Sequence, residues 1–399
     1  MAQRIFDGLK VIDCASYIAG PAAATVFSDF GAEVIKIEPP GGDPYRNRAQ
    51  TPAFGHSHTR NPNFELDGRN RKSLVLDLRH AEGRTVLRRL VAEADIFITN
   101  APVDVRPKLG LTYEELSPLN PRLIYASFTG YGEAGAEAAK PGFDATAWWA
   151  RSGLMHLVRA GADAAPARSL AGMGDHPSAI GLYAAIATAL YQRERTGRGL
   201  AVGSSLLANG LWANGCAVQA RLCGEVVEPQ PERHASPHPL RNHYRCRDGK
   251  WLLLSLVPDE ARWQRFKRAL AAPGLDDARF ASAESRAANA PALTAALDLA
   301  FSARDRNAWC AALEPTGLVF GIVSEMDDIP DAQMLASGAL VAFEGDTMLT
   351  VNSPFWLEGE TKLAPRRAPE AGENGAEVLR AVGYSDAEIE ALRAARVTT

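Results

Sequence analysis

The sequence predicts an α/β protein built on a parallel sheet, because short apolar runs alternate with helical patterns through its first 130 residues. The runs are apolar nearly throughout, which is typical of strands that helices cover on both faces. Strand, helix and strand at this spacing predict right-handed βαβ units. The predicted strands are Leu9–Cys14, Glu33–Glu38, Ser73–Leu78, Asp95–Asn100 and Leu123–Phe128.

The segments between these strands carry helix signals. After the first strand, Pro21 suits the first turn of a helix and Gly31 suits its end. A second helix is predicted over 83–94, between the third and fourth strands. Leu123–Phe128 is the last clear strand of this series, and helical patterns dominate from Phe143 to about Cys223.

A Pro-rich stretch at 226–239 marks a boundary, after which the character of the chain changes. The next segment predicts a β-hairpin with Asp248 and Gly249 at its turn. Amphipathic helices follow, and residues 317–360 return to mixed strands. The tail predicts two short helices, the second with Ser385 as its N-cap.

Composition excludes several classes of protein. The 399 residues carry 43 Lys and Arg against 47 Asp and Glu, a net charge of −4, which gives no general attraction to nucleic acid or to an anionic membrane. Five scattered cysteines form no C-x-x-C pair, so we expect neither disulfides nor zinc, and a cytoplasmic location fits them. No signal core and no run of 18 apolar residues is found, so no membrane span is expected.

Two motifs are typical of dinucleotide binding and of metal binding, but the surrounding sequence supports neither function. Gly130, Gly132 and Gly135 form a G-x-G-x-x-G after a strand, but a dinucleotide fingerprint needs a helix to open at once, and a loop-like stretch follows here. A structural turn is the better interpretation of these glycines. An assignment as a nicotinamide oxidoreductase would have no other support in the sequence. His56 and His58 lie in a polar loop without a third ligand, so we expect no metal there.

Ordered motifs along nearly the whole chain resemble the class III coenzyme A transferases, the CaiB/BaiF family that includes formyl-CoA transferase. They include FDGLKVIDCASYIAGPAAATVFSDFGAEVIKIEPPGGDPYR, NRKSLVLDLR, NPRLIYASFTGYGEAG, GFDATAWWARSGLM and MGDHPSAIGLYAAIATALYQRERTGRG. The resemblance implies a large Rossmann-like domain, formed by 1–225 and completed by 331–399, and a smaller α+β domain at 226–330 that covers the active site. It also implies an interlocked, ring-like homodimer.

The nucleophile of the family is an aspartate just before a long apolar helix, and in this sequence that position is Asp175. Local sequence alone makes Asp175 a helix N-cap, because Pro177 and an apolar run follow it. The resemblance implies instead that Asp175 attacks an acyl-CoA thioester and passes through a mixed anhydride and an aspartyl-CoA thioester. Gly172 and Gly174 are candidates for backbone donors to the oxyanion.

Coenzyme A is expected as part of the substrate, with no tightly bound cofactor, and its phosphates need cationic side chains. Arg71 and Lys72 are candidates for these phosphates by their place in the sequence. By the motif match, the positions that contact CoA are Ser16, Ile18, Ala19, Leu76, Arg79, Asn100, Ala101 and Lys108, with Arg106 beside them.

The acyl site resembles the branch of the family that acts on aryl and 2-hydroxy acids, such as phenyllactate CoA-transferase. An aryl, 2-hydroxy or dicarboxylic acid is therefore the expected substrate. His176 either binds the incoming carboxylate, orients the nucleophile or faces solvent, and paired Trp148 and Trp149 also suit a core. The pocket candidates are Tyr17, Tyr131, Phe143, Trp148 and His176.

Other functions of the same fold compete with transfer. An α-methylacyl-CoA racemase needs two bases on opposite faces of the α-carbon. The racemases of the family place a histidine before the aspartate of a G-H-D motif, and this chain has Gly142-Phe143-Asp144 instead. Isomerisation of CoA esters and intramolecular transfer stay open, and a non-catalytic CoA-ester-binding protein would not need Asp175. The expected partners are acyl-CoA, a carboxylic acid and a second copy of the chain.

Overall fold

A six-stranded parallel sheet organises most of the chain in the computed structural model, which describes residues 4–47, 61–257 and 259–399. The strand order is β3-β2-β1-β4-β5-β6, and every neighbouring pair is parallel. In such an order the loops after β1 and β4 diverge and leave a crevice at the carboxyl ends of the strands. The strands are β1 (Lys10–Cys14), β2 (Glu33–Glu38), β3 (Lys72–Val75), β4 (Ile96–Thr99), β5 (Ile124–Thr129) and β6 (Ala201–Ser205).

Five of these strands match the predicted runs, which confirms the α/β class and the parallel sheet. The sixth, β6, was not predicted, because helical patterns dominate that part of the sequence. Its sequence, AVGSS, holds a glycine and two serines and so lacks an apolar run. Because β6 lies at the edge of the sheet, it needs only β5 as a neighbour, and Ala201 pairs with Tyr125.

Helices cover both faces of the sheet and create two apolar layers. Along β4, Ile96 and Ile98 belong to one layer and Phe97 to the other, which explains why the strands are apolar throughout. The helices are α1 (Ala19–Asp29), α2 (Pro62–Gly68), α3 (Ala81–Ala92), α4 (Arg106–Leu109), α5 (Tyr113–Leu116), α6 (Leu154–Leu157), α7 (Asp175–Thr196), α8 (Leu206–Ala213) and α9 (Gly215–Leu222).

The chain divides into two compact units. The first comprises residues 1–155, 168–224 and 332–399, and the second comprises 156–167 and 225–331. The predicted large domain, 1–225, included residues 156–167, whereas these residues belong to the second compact unit. Within that unit Gly161 lies so close to Glu232 that an added Cβ would be 2.6 Å from the Glu232 Cγ.

The second unit contains a three-stranded antiparallel sheet in the order β7-β8-β9. The predicted hairpin is confirmed: β7 and β8 pair, and Gly249 at the turn has a φ of +83°. Tyr244 and Phe301 stack in its core, with ring centroids 5.1 Å apart. Its elements are β7 (His243–Arg245), β8 (Trp251–Leu254), α10 (Glu260–Leu270), α11 (Ala283–Ala288), α12 (Ala290–Phe301), α13 (Arg306–Leu313) and β9 (Phe320–Val323).

The C-terminal segment returns to the first unit. The hydroxyl of Thr398 donates to the carbonyl of Val75, 2.7 Å away, and so fixes the chain end to β3. Ser385 caps the last helix, as predicted, by accepting the N–H of Glu388 at 3.3 Å. Within the described residues, no helix has the length and apolar character needed to cross a membrane. The elements are α14 (Ala332–Ala336), β10 (Leu340–Ala342), β11 (Leu349–Val351), α15 (Gly375–Ala381) and α16 (Asp386–Ala394).

Candidate active site

A cavity of about 920 Å³ lies at the carboxyl ends of the parallel strands, and every residue that lines it belongs to the first unit. Its walls come from the segments that follow β1 to β5, which is where ligands bind in sheets of this strand order. Asp175 also lines it, from the start of α7. The cavity therefore brings together segments that are far apart in the sequence.

The loop between β1 and α1 is held by reciprocal hydrogen bonds. The Ser16 N–H donates to the Asn100 side chain at 2.9 Å, and the Asn100 amide donates back to the Ser16 carbonyl at 2.7 Å. Tyr17 has a φ of +67°, which is uncommon for a residue with a side chain, and its N–H donates to Asp43 at 3.3 Å. These bonds fix the part of the loop that lines the cavity.

A buried ion cluster lies beneath this loop. The ammonium of Lys36 donates to the Ala15 carbonyl at 2.5 Å and lies 3.0 Å from Asp43 and 3.6 Å from Asp13. Burial acts to lower the pKa of Lys36, but the carboxylates of Asp13 and Asp43 outweigh it, so the pKa is raised and the side chain stays charged. Arg71 completes the cluster with a 2.6 Å contact to Asp13.

Asp175 is the first residue of α7, and Gly174 occupies the N-cap position. The interpretation of Asp175 as an N-cap is therefore wrong, although the predicted place at a helix N-terminus is confirmed. Burial, and then repulsion from Asp144, raise the pKa of Asp175 from its ordinary 3.8 to about 7, against a lowering effect of His176. Near neutral pH this carboxyl group is thus divided between its neutral and charged forms.

Asp144 is a second carboxylate of the cavity that sequence reasoning did not select. It opens a π-helical segment, Asp144–Ala150, and only 8% of it is exposed. Its oxygens accept the N–H of Ala145 at 2.7 Å and the N–H of Gly174 at 3.4 Å. The second bond ties Asp144 to the residue just before Asp175. No sequence pattern predicts a π-helical segment, so its place near α7 could not be foreseen.

The two candidate oxyanion glycines differ in their surroundings. Gly172 lines the cavity with a φ of +77°, a conformation that favours glycine. Gly174 does not line the cavity, and its N–H is already directed at Asp144. A Cβ on Gly174 would lie 2.6 Å from the ring of Trp148, so this position accepts no side chain without a shift of the indole. Gly172 is the better placed of the two.

His176 is held between two oxygen atoms. Its Nε2 lies 3.0 Å from Asp67 Oδ1, and its Nδ1 lies 3.2 Å from the Gly172 carbonyl. Burial acts to lower the pKa of His176, but the hydrogen bond and charge of Asp67, with smaller contributions from Gly172 and Asp175, raise it to about 9. His176 does not line the cavity, so its predicted contact with the incoming carboxylate lacks support.

The family model described as CoA-transferase family III matches residues 6–375. The chain belongs to this family. The chain is 32% identical over 398 residues to "(R)-2-hydroxy-4-methylpentanoate CoA-transferase" of Clostridioides difficile, with 98% of this chain and 99% of that one covered. It is 33% identical over 397 residues to "Cinnamoyl-CoA:phenyllactate CoA-transferase" of Clostridium sporogenes, with 98% and 96% covered. As a member of CoA-transferase family III, the protein is an enzyme.

A solved structure carries the same fold. A CaiB/BaiF family protein from Brucella suis superposes with a TM-score of 0.85 at 29% identity, covering 96% of this chain and all of that one. The predicted family, its CaiB/BaiF membership and its resemblance to the 2-hydroxy-acid branch are thereby confirmed.

Most positions that the family motifs assign to CoA line the cavity of this family III chain. They come from three separate segments, those after β1, β3 and β4, which the sheet brings to one edge. Arg79 is the cation among them, and Asp77 holds its guanidinium through two contacts of 2.9 Å. The lining positions are Ser16, Ile18, Ala19, Leu76, Arg79, Asn100 and Ala101.

The other predicted phosphate cations do not line the cavity. Arg106 is buried and pairs with Glu133 at 2.9 Å, and Lys108 is exposed. Arg71 lies in the ion cluster beneath the first loop, so its charge is compensated there. Lys72 contacts two carboxylates at the sheet edge, Glu33 at 2.6 Å among them. Carboxylates distant in sequence pair with Arg106, Arg71 and Lys72, and local sequence could not reveal these contacts.

The aromatic candidates separate into wall and core. Tyr17 and Phe143 line the cavity and meet edge to face, with ring centroids 5.6 Å apart, and Phe143 is 53% exposed. Tyr131 and Trp148 are buried outside the lining, which corrects their assignment to the pocket. Trp148 stacks on Trp149, and both belong to the apolar core on one face of the sheet. This agrees with the alternative expectation that the paired tryptophans belong to a core.

Among the cations of the cavity lining, two were not predicted from the sequence, Arg168 and Lys140. Arg168 is exposed, and the structure gives it no ion pair with any described residue. Lys140 pairs with Glu137 at 2.9 Å. The one sequence signal for either residue was a positive charge close to a predicted motif. Many surface residues have such a charge, so it does not identify a residue of the cavity.

The glycine motif and the histidine pair can also be placed. The glycines Gly130, Gly132 and Gly135 lead into turns, and no helix opens there, so the requirement of a dinucleotide fingerprint is not met. His56 and His58 lie outside the described residues. Among the residues that the structure describes, no group of three His, Cys, Asp or Glu side chains could hold a metal ion.

Proposed function

We propose that this enzyme moves coenzyme A from an acyl-CoA donor to a free carboxylic acid through covalent intermediates on Asp175. The observation that carries the proposal is the carboxyl group of Asp175, which faces a 920 Å³ cavity at the first turn of α7. The cavity also contains most of the positions that the family motifs assign to CoA. A nucleophile and a binding crevice for the thioester thus occupy one space.

The first half of the reaction loads the enzyme. A carboxylate oxygen of Asp175 attacks the thioester carbonyl, the carbon–sulfur bond breaks, and CoA leaves as a thiolate with a mixed anhydride left on the enzyme. The thiolate then attacks the aspartyl carbonyl carbon. The donor acid leaves as its carboxylate, and Asp175 carries CoA as a thioester.

The second half reverses these steps with another acid. The acceptor carboxylate attacks the aspartyl thioester, which expels the thiolate and forms a second mixed anhydride. The thiolate attacks the acyl carbonyl of that anhydride, so the new acyl-CoA leaves and Asp175 returns to a carboxylate. No proton, water molecule or redox partner is consumed, and the bond energy of the thioester is conserved if water is excluded.

The surroundings of Asp175 suit these steps. The N-terminus of α7 and the backbone of Gly172 favour an anion, so they support the oxyanion that forms at each attack. A pKa of about 7 keeps a useful fraction of the carboxyl group ionised near neutral pH. A carboxylate with a raised pKa is also the more basic nucleophile.

For the carboxylic acids between which CoA is transferred, we propose aryl or branched 2-hydroxy acids. A dicarboxylic acid is the alternative substrate. The support is the naming of two relatives for 2-hydroxy-4-methylpentanoate and phenyllactate. The edge-to-face pair of Tyr17 and Phe143 offers an apolar wall for such side chains. A panel of acyl-CoA donors against a panel of carboxylates would identify the pair that is used.

We further propose that two copies form an interlocked homodimer. Large apolar side chains on successive helices are exposed, among them Tyr191 on α7, Trp212 on α8 and Leu222 on α9, and Trp212 is 87% exposed. Such surfaces are typical of protein interfaces. A mass near twice 42.8 kDa in solution is expected. We place the enzyme in the cytoplasm, because all five cysteines are free.

Covalent trapping tests the proposed chemistry. The protein is incubated with an acyl-CoA, treated with hydroxylamine or borohydride, and analysed by mass spectrometry for modification of Asp175. Asp175→Ala should abolish both modification and transfer while CoA still binds, and Asp327→Asn, which alters an exposed carboxylate of the second unit, should change neither. Full turnover by Asp175→Ala would show the proposal to be wrong. Exchange of the α-hydrogen without acceptor acid would favour the racemase, although Phe143 stands where that chemistry needs a base.

A further inference from the structure

The imidazole of His176 lies between two acceptors, and this arrangement fixes its protonation. Asp67 Oδ1 and the Gly172 carbonyl each lie within hydrogen-bond distance of one ring nitrogen, at 3.0 and 3.2 Å. A carboxylate and a carbonyl cannot donate, and a neutral imidazole donates from only one nitrogen. Both bonds therefore form only when the ring carries two protons and a positive charge.

Asp67 needs that positive charge. Its side chain is 4% exposed, and its Oδ2 has no hydrogen-bond partner among the described residues. A buried carboxylate is stable only when a charge or donors compensate it. Arg71 donates to the backbone carbonyl of Asp67, but its charge is held by Asp13 at 2.6 Å. His176 is the cation that contacts the Asp67 carboxylate directly.

We propose that Asp67 and His176 form a positioning pair, in which the buried carboxylate holds the imidazolium beside Asp175 and thereby keeps the nucleophile ionised. The same imidazolium binds the Gly172 carbonyl, so the pair also fixes the loop that precedes α7. This inference rests on the proposed role of Asp175 as the nucleophile. His176 neither lines the cavity nor needs to touch substrate.

The charges around Asp175 determine the sign of the effect. Burial, Asp144 and Asp67 all act to raise the pKa of Asp175, and among the charged side chains of the described residues His176 is the one that lowers it. Arg168 lines the same cavity without contributing to that balance. Loss of the His176 charge would therefore leave the nucleophile opposed only by burial and like charges, and more of it would be protonated at neutral pH.

The pH profile of kcat/KM for transfer tests the pair. In the native enzyme the acidic limb should lie near pH 7, the pKa of Asp175. His176→Gln keeps an amide donor for either Asp67 or the Gly172 carbonyl but removes the positive charge. Because that charge favours the ionised form of Asp175, the acidic limb of the kcat/KM profile should move up by about one pH unit. Transfer at pH 7 should fall about five-fold and recover at pH 9. His156→Gln, which alters an exposed histidine of the second unit, should leave the limb unchanged.

A purely structural role would give another result. If His176→Gln reduced transfer equally at pH 7 and pH 9, or left the profile unchanged, the electrostatic role would be refuted. A second measurement does not depend on activity: NMR titration of the His176 ring nitrogens in the native protein and in Asp67→Asn. The native ring should stay doubly protonated to about pH 9, and that of Asp67→Asn should titrate nearer the ordinary 6.5.

The two measurements separate failure of the pair from failure of the proposed function. A native His176 that titrates near 6.5 would overturn the pair even in an active transferase. A native His176 that titrates near 9, in a protein from which no aspartyl intermediate can be trapped, would uphold the charge pair and overturn the nucleophilic role that it serves.

Discussion

Asp175→Asn should stabilise the folded protein relative to the native one, and this gain in the free energy of unfolding should be larger at pH 8 than at pH 5. A carboxyl group whose pKa is raised in the folded state binds its proton more tightly there than in the unfolded chain. Its ionisation therefore costs stability as the pH rises from the unfolded pKa, 3.8, through the folded one, about 7. Asparagine has nearly the same shape and no charge, so it removes this cost.

The size of the effect follows from the two pKa values. At about 1.4 kcal/mol for each pKa unit, the full cost of ionising Asp175 is about 4 kcal/mol, and about 2.6 kcal/mol of it accrues between pH 5 and pH 8. The side chain keeps some contact with solvent, so we expect roughly half of this, about 1.3 kcal/mol. For a unit of this size that corresponds to a Tm gain about 3 °C larger at pH 8 than at pH 5.

Calorimetric melting at the two pH values measures this difference. His176 is present in both proteins, and Asp175 makes only the smallest of the contributions that raise its pKa to about 9, so its own titration nearly cancels. Asp327→Asn, the exposed control, should show the same Tm change at pH 5 and pH 8. If Asp175→Asn changed the Tm equally at both values, or more at pH 5, the carboxyl group would not be destabilised in the folded state and the reasoning would fail.

Three further substitutions probe the same site. Asp144→Asn removes the repulsion that acts on Asp175, so the acidic limb of the kcat/KM profile should move below pH 7, opposite to the effect of His176→Gln. Gly174→Ala would bring a Cβ to 2.6 Å from the ring of Trp148, so we expect a loss of about 1–3 kcal/mol in chemical unfolding. Lys36→Met leaves the buried carboxylate of Asp43 without its cation, while Asp13 keeps Arg71, and melting should show a loss of about 3–5 kcal/mol together with weaker CoA binding by calorimetric titration.

The sheet could be predicted because its signal is local. Strands such as Ile96–Thr99 are apolar on both faces, with Ile96 and Ile98 in one apolar layer and Phe97 in the other. β6 escaped notice because an edge strand with a glycine and two serines carries no such run. Its position depends on pairing with β5, which is a tertiary contact.

The site was predicted in part for the same reason. Motif order predicted the aspartate at the start of α7, and most of the positions that it assigned to CoA line the cavity. The pair of Asp67 and His176 joins residues 109 positions apart, and the contact of Asp144 with Gly174 spans 30 positions. Contacts at these separations depend on how the helices pack, and no spacing in the sequence encodes them.

The wall of the cavity and the chemistry within it come from separate parts of the chain. Tyr17 belongs to the loop after β1, Phe143 precedes the π-helical segment, and Asp175 starts α7. The hydrogen bonds that hold the His176 ring involve neither aromatic ring. Under the proposed mechanism, substitution at the two rings would alter which acid is accepted and leave the groups around Asp175 unchanged. A family with one nucleophile can in this way diversify by exchanging only the side chains that face the acyl group.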